Sequence, residues 1–320
     1  MDSSRRSVLL GLSLMSAVDG KVISRPWKPR IGILSEYDHA NLKFAAEHGF
    51  TSIGLFADRG AVLDVTTQLP DTRIEQIRTA IDDSKLYVSV LGAYQINHTA
   101  EDASERARNN AYFRNVIQLA GKLKIPFVGT GSGKMPGKNL ADQVAEIARV
   151  YEREYFSACQ ENKVRILWEP WAGGPNVATG PVGYEALFKA FGSSPYVGIQ
   201  YDPSHLVWQM IDPIQTARDF APKIYDVHLK DTEIRWPVLR KVGIYPWNND
   251  EWWRFRIPGS GCLDWRALFT VLMEAGYSGA MNIENEDDLY GARYEGRVFT
   301  GSFKDGFLVA KQYLEQFVAS

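Results

Sequence analysis

Short apolar runs, each followed by a longer amphipathic stretch, recur from residue 29 to the end of the chain. Most of these runs are continuous rather than alternating, which is typical of strands buried on both faces of a parallel sheet. We predict strands at 31–34, 52–57, 86–94, 126–131, 165–171, 197–202, 224–230 and 279–285. This α/β alternation favours a single-domain (β/α)8 TIM barrel over residues 29–320. A doubly wound open sheet is the alternative, and the chain lacks the glycine-rich nucleotide turn of that fold.

Amphipathic periodicity predicts the helices between these strands. Gly49 stands where it would terminate the first helix, and Asp71 where it would cap the second. Apolar residues recur three and four positions apart over 105–124 and over 139–163, so each of these segments is predicted to form one long helix.

Residues 232–262, after the seventh strand, break the alternation because they show no clear period. This Trp-rich insertion holds Trp236, Trp247, Trp252 and Trp253 among prolines and glycines. Structureless connections longer than about 12–15 residues are uncommon unless they are functional. We therefore expect the insertion to lie over the catalytic face as a lid or to reach the partner subunit of a homodimer. A packed insertion without function is the alternative.

The first 28 residues have the features of an export sequence. Arg5 and Arg6 precede a short apolar run, Val8–Val18, and SRRSVLLGL resembles a twin-arginine signal. We expect residues 1–28 to be such a signal or an N-terminal extension, and the protein to be exported to the periplasm. The alternative is a short amphipathic helix on a cytoplasmic protein. No apolar stretch reaches the length of a membrane span.

Charge and cysteine content exclude several classes of protein. The formal net charge of −2 and the pI of about 6.2 lack the basic excess that nucleic-acid binding requires. Cys159 and Cys262 are far apart and have no ligand spacing, which disfavours a structural disulfide and a zinc ribbon.

Side chains that can bind a metal stand at the carboxyl ends of the last four predicted strands. Glu169 follows RILW, Asp202 follows VGIQY, His228 lies within IYDVHLK and Glu284 follows GAMNI. The strands of a TIM barrel all end on one face, where active sites lie. Three oxygen ligands and one nitrogen suit one divalent ion, with Mn2+ or Mg2+ favoured and Zn2+, Co2+ or Fe2+ as alternatives. Each acidic residue taken alone could instead be a solvated loop residue or part of a salt bridge.

Three further residues are candidates for substrate binding. Lys230 shares a side of its strand with His228 and could stabilise a substrate oxygen, or it could be a surface lysine. Trp171 could present its ring to a sugar or pack in the core. His98, which follows the third strand, is a weaker candidate for a substrate contact.

The segments WEP, YDPSH, HLKD and IENED, in this order and at these separations, resemble the sugar-phosphate isomerase/epimerase superfamily of xylose-isomerase-like TIM barrels. That superfamily includes ketose 3-epimerases, inosose isomerases and dehydratases, and endonuclease IV. The resemblance implies that Glu169, Asp202, His228 and Glu284 ligate one divalent metal. It also implies that Glu169 and Glu284 move protons, and that His205 contacts the substrate. His205 could instead be a core histidine or a residue that orients Asp202.

These residues predict proton transfer next to a sugar carbonyl. A divalent ion stabilises the charge that develops on adjacent oxygens of an enediolate, and a positioned carboxylate removes and returns the proton. The predicted function is therefore isomerisation or epimerisation of a sugar or keto-sugar, and export would favour an unphosphorylated one. A dehydratase or lyase acting on a keto-sugar, 3-oxo-glycoside or keto-cyclitol is the nearest alternative. An endonuclease IV-like DNA repair enzyme is a remote one, because its multi-zinc site needs more histidines than the five present.

Overall fold

A closed ring of parallel strands forms the centre of the structure. The computed structural model describes residues 27–245, 251–291 and 301–318. The barrel strands are β1 (Arg30–Ser35), β2 (Ser52–Phe56), β3 (Tyr87–Gly92), β4 (Phe127–Thr130), β5 (Arg165–Trp168), β6 (Val197–Tyr201), β7 (Ile224–Leu229) and, after two strands outside the ring, β10 (Ala280–Ile283). Their order around the ring is β1-β10-β7-β6-β5-β4-β3-β2. The predicted single-domain TIM barrel is confirmed, and each predicted strand overlaps an observed one.

The predicted strands are too long at their carboxyl ends. β5 ends at Trp168 and β6 at Tyr201, so Glu169, Trp171 and Asp202 lie on the loops that follow these strands. Side chains there are released from the sheet and can turn into the mouth of the barrel, which is where TIM barrels place their active sites.

Helices connect the strands on the outside of the barrel. They are α1 (His39–Glu47), α2 (Asp71–Ser84), α3 (Ala103–Lys122), α4 (Leu140–Glu154), α5 (Phe156–Asn162), α6 (Pro181–Phe191), α7 (Pro203–Trp208), α8 (Pro213–Phe220), α9 (Trp236–Val242), α10 (Trp265–Glu274) and α11 (Gly301–Glu315). The apolar faces of these helices, except α9, pack against the strands and form a continuous hydrophobic core.

Two helix predictions are wrong in detail. Pro70 is the N-cap of α2, and Asp71 lies in its first turn, where a carboxylate still interacts favourably with the helix dipole. The single helix predicted over 139–163 is two helices, because the backbone at Tyr155 leaves the helical region (φ −124°, ψ −34°). The Tyr155 side chain is fully buried and its hydroxyl donates a hydrogen bond to Asn110, so tertiary packing overrides the helical periodicity here.

Polar side chains fill much of the barrel interior. Asn282 bonds to Ser52 (3.0 Å) and donates to Ser89 (2.8 Å), while Gln200 donates to Asp226 (2.9 Å). All five are completely buried. TIM barrels usually fill this space with Val, Ile and Leu. Here a hydrogen-bonded network, the interior network, lies beneath the mouth of the barrel.

The Trp-rich insertion is ordered secondary structure where the structure describes it, rather than the aperiodic loop that we predicted. Strands β8 (Asp231–Ile234) and β9 (Trp253–Arg256) form an antiparallel pair, which we call the hairpin arm, with α9 between them. Trp247 lies outside the described residues. The sequence shows no strand period here because β8 and β9 have only four residues each and lie far apart along the chain.

A single carboxylate closes the base of the hairpin arm. The Asp231 side chain accepts hydrogen bonds from the backbone N–H groups of Thr232, Gly259 and Leu263 and from the indole of Trp265. Both ends of the arm are therefore tied to one buried group, and the arm starts and finishes at the same place on the barrel.

The predicted N-terminal signal falls on residues 1–28, of which residues 1–26 lie outside the described part of the chain. Trp27 packs edge-on against Phe269 and donates its indole N–H to the carbonyl of Tyr277 (2.7 Å). Among the described residues no helix has the length and hydrophobicity that crossing a membrane requires.

We expect Asp231→Ala to destabilise the protein strongly, because each buried donor left without an acceptor costs about 1–3 kcal/mol. Urea unfolding monitored by tryptophan fluorescence measures the change in the free energy of unfolding. Asp264→Ala is the control, since it removes one exposed capping bond to Ala267 and should cost about 0.5–2 kcal/mol. Equal losses in the two variants would contradict the role assigned to Asp231.

Candidate metal and substrate site

The four predicted metal ligands converge at the mouth of the barrel. One ligand atom from each of Glu169, Asp202, His228 and Glu284 lies within 4.8 Å of the others. Adjacent strands bring them together: β5, β6, β7 and β10 are consecutive in the ring, and Asn282 of β10 is in register with His228 of β7. We call these four residues the acidic cluster.

His228 is the centre of the acidic cluster. Its Nδ1 atom lies 2.9 Å from Glu169 Oε1, 3.2 Å from Glu284 Oε2 and 3.9 Å from Asp202 Oδ2. His228 and Asp202 are completely buried, whereas Glu169 and Glu284 retain a small exposed fraction and line the cavity above. The floor of the site is therefore an imidazole and a carboxylate, and the two glutamates face the cavity.

Local structure orients Asp202. It is the N-cap of α7, and its Oδ1 atom accepts hydrogen bonds from the backbone N–H (2.9 Å) and the hydroxyl (2.6 Å) of Ser204. Capping explains why a carboxylate follows β6 at this point. Because Oδ1 already accepts these two hydrogen bonds, Oδ2 is the oxygen that faces the other three residues of the acidic cluster.

Lys230 is buried inside the site rather than exposed at the surface. Its Nζ atom lies 2.7 Å from Glu284 Oε2, 2.9 Å from Glu286 Oε2 and 3.0 Å from Asp202 Oδ2. Four carboxylates, counting Glu169, thus surround one lysine and one histidine. The negative charges exceed the positive ones even when His228 is protonated.

The pKa values of the buried groups follow from this excess of negative charge. Burial raises the pKa of Asp202 to about 7, against the opposing effect of Lys230. Burial alone would lower the pKa of His228, but Glu284 and Glu169 outweigh it and raise that pKa well above its usual value. Burial likewise opposes charge on Lys230, and Asp202, Glu284 and Glu286 raise its pKa well above normal.

The acidic cluster fits a divalent cation. Ligands on opposite sides of an ion are roughly 4.2 Å apart at bond lengths of about 2.1 Å, so these four atoms can share one ion after shifts below about 1 Å. Within the described residues Asp202 Oδ2, which faces the other three ligands, is buried and makes no hydrogen bond, and the nearest positive charge is Lys230 Nζ at 3.0 Å. Three carboxylates and one imidazole also form a donor set that hard and borderline divalent ions accept.

His205 lies between the acidic cluster and the hairpin arm. Its Nε2 atom is 3.4 Å from Asp202 Oδ2 and 3.4 Å from Lys230 Nζ, and it lines the cavity. Burial, reinforced by Lys230, lowers the pKa of His205 well below its usual value, so the imidazole is neutral.

Sequence reasoning missed Phe255 on the hairpin arm. Its ring packs edge-on against His205 (centroids 5.2 Å apart) and lies 4.4 Å from Lys230 Nζ. Trp253 continues the contact by stacking on Trp208 of α7, at 4.8 Å between centroids. The arm is thus a wall of the site. Its contact with the site could not be read from the sequence, because Phe255 is far from both partners along the chain.

A cavity of about 730 Å3 opens above the acidic cluster. Its walls come from loops that follow strands on both sides of the barrel. The lining residues are Glu36, Phe56, Asp58, Arg59, Gly60, Ala61, Tyr94, Gln95, Glu169, Trp171, Gly173, Gly174, Pro175, His205, Lys230, Glu284, Asn285 and Glu286.

Several lining residues carried a sequence signal that went unused. Glu36 directly follows β1, as Glu169 directly follows β5, and Asp58 and Gln95 lie two and three residues beyond the ends of β2 and β3. Searching all eight strand ends would have found them. Tyr94 is a different case, because its hydroxyl donates to Gln200 (2.8 Å) and joins the cavity lining to the interior network.

Trp171 lies on the loop after β5 and lines the cavity. Asn176 holds this loop by donating to the carbonyls of Glu169 (2.7 Å) and Trp171 (3.2 Å). The Asn176 side chain also accepts a hydrogen bond from the backbone N–H of Ser132, in the GTGSGK segment (129–134). That turn therefore supports the loop that follows β5.

The structure places His98 in the core. Its ring nitrogens lie 2.7 Å from the Tyr155 hydroxyl and 3.0 Å from the Thr130 hydroxyl, and it is not among the residues that line the cavity. Burial lowers its pKa to about 3. Both nitrogens are thus committed to the protein interior.

Comparison with known proteins identifies the family. A model of the xylose isomerase-like TIM barrel family matches residues 42–299. A xylose isomerase domain protein from Planctomyces limnophilus superposes with a TM-score of 0.67 at 19% identity, over 90% of this chain and 97% of that one. A D-psicose 3-epimerase superposes with a TM-score of 0.65 at 17% identity, over 90% and 99%. At these identities the two likenesses show the fold.

Curated relatives match more closely over a shorter stretch. An inosose dehydratase from Clostridium beijerinckii is 37% identical over 101 residues, which cover 29% of this chain and 31% of that protein. The uncharacterized protein YfiH of Bacillus subtilis is 32% identical over 111 residues, or 32% of this chain and 36% of that protein. The matched stretches span about a third of the length of these relatives.

Lys230→Met should lower the free energy of unfolding by about 3–5 kcal/mol in the presence of a chelator, because it removes the buried cation that lies within 3.0 Å of Asp202, Glu284 and Glu286. Saturating Mn2+ should reduce this loss, since a bound cation stabilises the same charges. Urea unfolding with EDTA or with Mn2+ measures both values. Lys43→Met is the control, because it removes an exposed pair with Glu47 that is worth about 0–1 kcal/mol. A loss that is identical with and without Mn2+ would contradict the cation site.

His98 should make stability depend on pH. The pKa of His98 is about 3 in the folded protein, whereas an unfolded histidine titrates near pH ~6.5. Between these values the unfolded chain binds a proton that the folded chain does not, so stability falls as the pH decreases through this window. His98→Gln should flatten the slope by up to about 1.4 kcal/mol per pH unit, as measured by urea unfolding. An unchanged slope would refute this assignment.

Proposed function

Because this chain belongs to the xylose isomerase-like TIM barrel family, we propose that it is a divalent-metal-dependent isomerase or epimerase. The proposed substrate is an unphosphorylated sugar or keto-sugar. The observation that carries this proposal is the convergence of Glu169, Asp202, His228 and Glu284 beneath a cavity, with the two glutamates facing that cavity. Glu169, Asp202, His228 and Glu284 would hold one metal ion, most suitably Mn2+ or Mg2+, with Zn2+, Co2+ or Fe2+ as alternatives.

The metal would act as a Lewis acid that favours loss of a proton next to the substrate carbonyl. Glu169 and Glu284 are proposed to be the acid and base. They follow β5 and β10, which are separated in the ring by β6 and β7, so the two carboxylates approach the cavity from different sides. If one glutamate removes the proton and the other returns it to the opposite face, the product is an epimer. Return to the neighbouring carbon gives aldose–ketose isomerisation.

Residues next to the acidic cluster can form hydrogen bonds and ion–dipole contacts with substrate oxygens. Neutral His205 can donate or accept a hydrogen bond at a hydroxyl, and Lys230 supplies a positive charge beside Glu284. The ring of Trp171 offers an apolar surface to the carbon face of a sugar. His98 is not included in this set, because both of its nitrogens bond within the core.

The charges around the cavity favour a substrate without phosphate. The lining includes the carboxylates of Glu36, Asp58, Glu169, Glu284 and Glu286. The basic residues among the described lining residues are Arg59 and Lys230, and Lys230 Nζ lies 2.7 Å from Glu284 Oε2. A divalent ion in the acidic cluster would offset the charges of Glu169 and Glu284, so the side of the cavity lined by Glu36 and Asp58 is where a phosphate group is disfavoured.

Dehydration is the second candidate reaction, and the similarity to inosose dehydratases favours it. The same proton abstraction becomes a dehydration when a β-hydroxyl leaves instead of a proton being returned. The substrate would then be a keto-sugar or a keto-cyclitol. A homodimer and export from the cytoplasm remain predictions from the sequence.

Glu169→Gln and Glu284→Gln should each abolish exchange of a substrate C–H proton with solvent deuterium. Each amide retains the shape of the side chain but cannot act as a general base, whose contribution is about 10²- to 10⁴-fold. The measurement is a screen of ketoses, inososes and 3-oxo-sugars in D2O with added Mn2+, read by NMR. Isothermal titration with Mn2+ determines how much metal affinity each variant retains.

Glu185→Gln serves as the control for this screen, because Glu185 is exposed on α6 and should exchange at the wild-type rate. Full exchange in either active-site variant would remove the acid–base assignment. A product with one water fewer and enone absorbance would identify the dehydratase. Exchange without loss of mass would identify the isomerase or epimerase.

A further inference from the structure

We propose that the cavity binds a neutral glycoside of two rings, with the reacting keto-sugar at the acidic cluster and the second ring at the opposite side of the barrel mouth. This inference rests on the proposed function and specifies its substrate class. It is carried by the size of the cavity, by the position of its far wall and by the charges on that wall.

The cavity is larger than one sugar ring requires. Its volume is about 730 Å3. A hexose has the bulk of about six water molecules, or roughly 200 Å3 if each water occupies about 30 Å3. Ligand pockets usually bury most of the surface of the molecule they bind. A free monosaccharide at the acidic cluster would leave most of this space to solvent, whereas two linked rings would occupy a much larger share.

Part of the cavity wall comes from strands that do not carry the acidic cluster, namely β1, which is next to β10, and β2 and β3 beyond it. Glu36, Asp58, Arg59, Ala61 and Gln95, which we call the distal wall, come from loops that follow β1, β2 and β3. In the ring of eight strands β2 lies opposite β6, the strand that leads into Asp202. The cavity therefore extends from the acidic cluster across the full mouth of the barrel.

The polar groups of the distal wall can bind the hydroxyl groups of a sugar. Two carboxylates, one guanidinium and one amide can each form hydrogen bonds with a sugar ring. Asp58 is held in place, since its Oδ1 atom accepts hydrogen bonds from the backbone N–H groups of Tyr94 (2.7 Å) and Gln95 (3.2 Å). The Arg59 guanidinium lies 4.5 Å from the ring of Tyr112, which also restricts its position.

Small residues keep the space open at both ends. Gly60 has a positive φ of 85°, and a Cβ atom there would meet nothing within 4 Å. Gly173 and Gly174 carry the ring of Trp171, since added Cβ atoms would approach that ring to 2.7 and 2.4 Å. Trp171 is therefore packed onto the backbone of its own loop.

The test compares substrates that differ only in the second ring. The probes are 3-oxo-glucose, its methyl glycoside and a disaccharide with the same 3-oxo ring at its non-reducing end. With Mn2+ in D2O, we expect kcat/KM for proton exchange to be at least ten-fold higher for the disaccharide than for the free sugar. Equal values, or a preference for the free sugar, would overturn the two-ring assignment while leaving the proposed function intact.

Binding provides a readout that does not need turnover. Isothermal titration of the Glu284→Gln variant with the same probes should give a Kd for the disaccharide at least ten-fold below that of 3-oxo-glucose. If no sugar in the wider screen exchanges a proton but this difference in Kd persists, the proposed reaction fails and the two-ring site stands. Equal Kd values would refute the two-ring site.

Ala61→Trp tests the location of the second ring. The larger side chain would enter the distal half of the cavity, so kcat/KM for the disaccharide should fall by more than ten-fold and that for 3-oxo-glucose by much less. Ala40→Trp, at an exposed position on α1, is the matched control and should change neither value. A parallel loss for both sugars in Ala61→Trp would overturn the assignment of the distal wall.

Discussion

Repulsion among buried carboxylates is the constraint on which the rest of the site depends. Glu169, Asp202, Glu284 and Glu286 are brought together by strand ends that the barrel closure forces to be neighbours. Lys230 compensates part of this charge at distances of 2.7–3.0 Å, and His228 compensates more when it is protonated. Uncompensated charge in a buried site is costly, and a divalent cation is the simplest group that offsets it.

The hairpin arm completes the surroundings of this charged centre. The ring of Phe255 contacts both Lys230 and His205. It therefore covers the Lys230 ammonium group and the neutral His205 imidazole from the side of the hairpin arm. The Arg256 side chain donates to Asp287 (2.8 Å), on the loop that carries Glu284 and Glu286 after the last barrel strand. An element outside the barrel thus limits the movement of side chains that follow three barrel strands, namely His205 after β6, Lys230 after β7 and Asp287 after β10.

The fold and the metal-ligating residues could be predicted because both follow from local patterns. Continuous apolar runs indicate buried parallel strands, and a polar residue at the end of each run is placed by the fold on one face. The break between α4 and α5 could not be predicted, since it depends on the burial of Tyr155. The roles of Phe255 and Asp231 were also hidden, because their partners are distant in sequence. The residues of the distal wall also follow barrel strands, so the same reasoning predicts them.

The interior network has a consequence for how sequences of this barrel can vary. Gln200, Asp226 and Asn282 satisfy one another's hydrogen-bonding groups inside the ring, and Tyr94 links them to the cavity. Replacing Asp226 alone with an apolar residue would leave the Gln200 N–H group without its acceptor and remove one acceptor of Asn282, and replacing either amide alone would remove one donor from the buried carboxylate. These positions should therefore covary among homologues. Several of these residues would have to change together to convert this interior to an aliphatic one without loss of stability. The polar arrangement should therefore persist in distant homologues even where the residues lining the cavity differ.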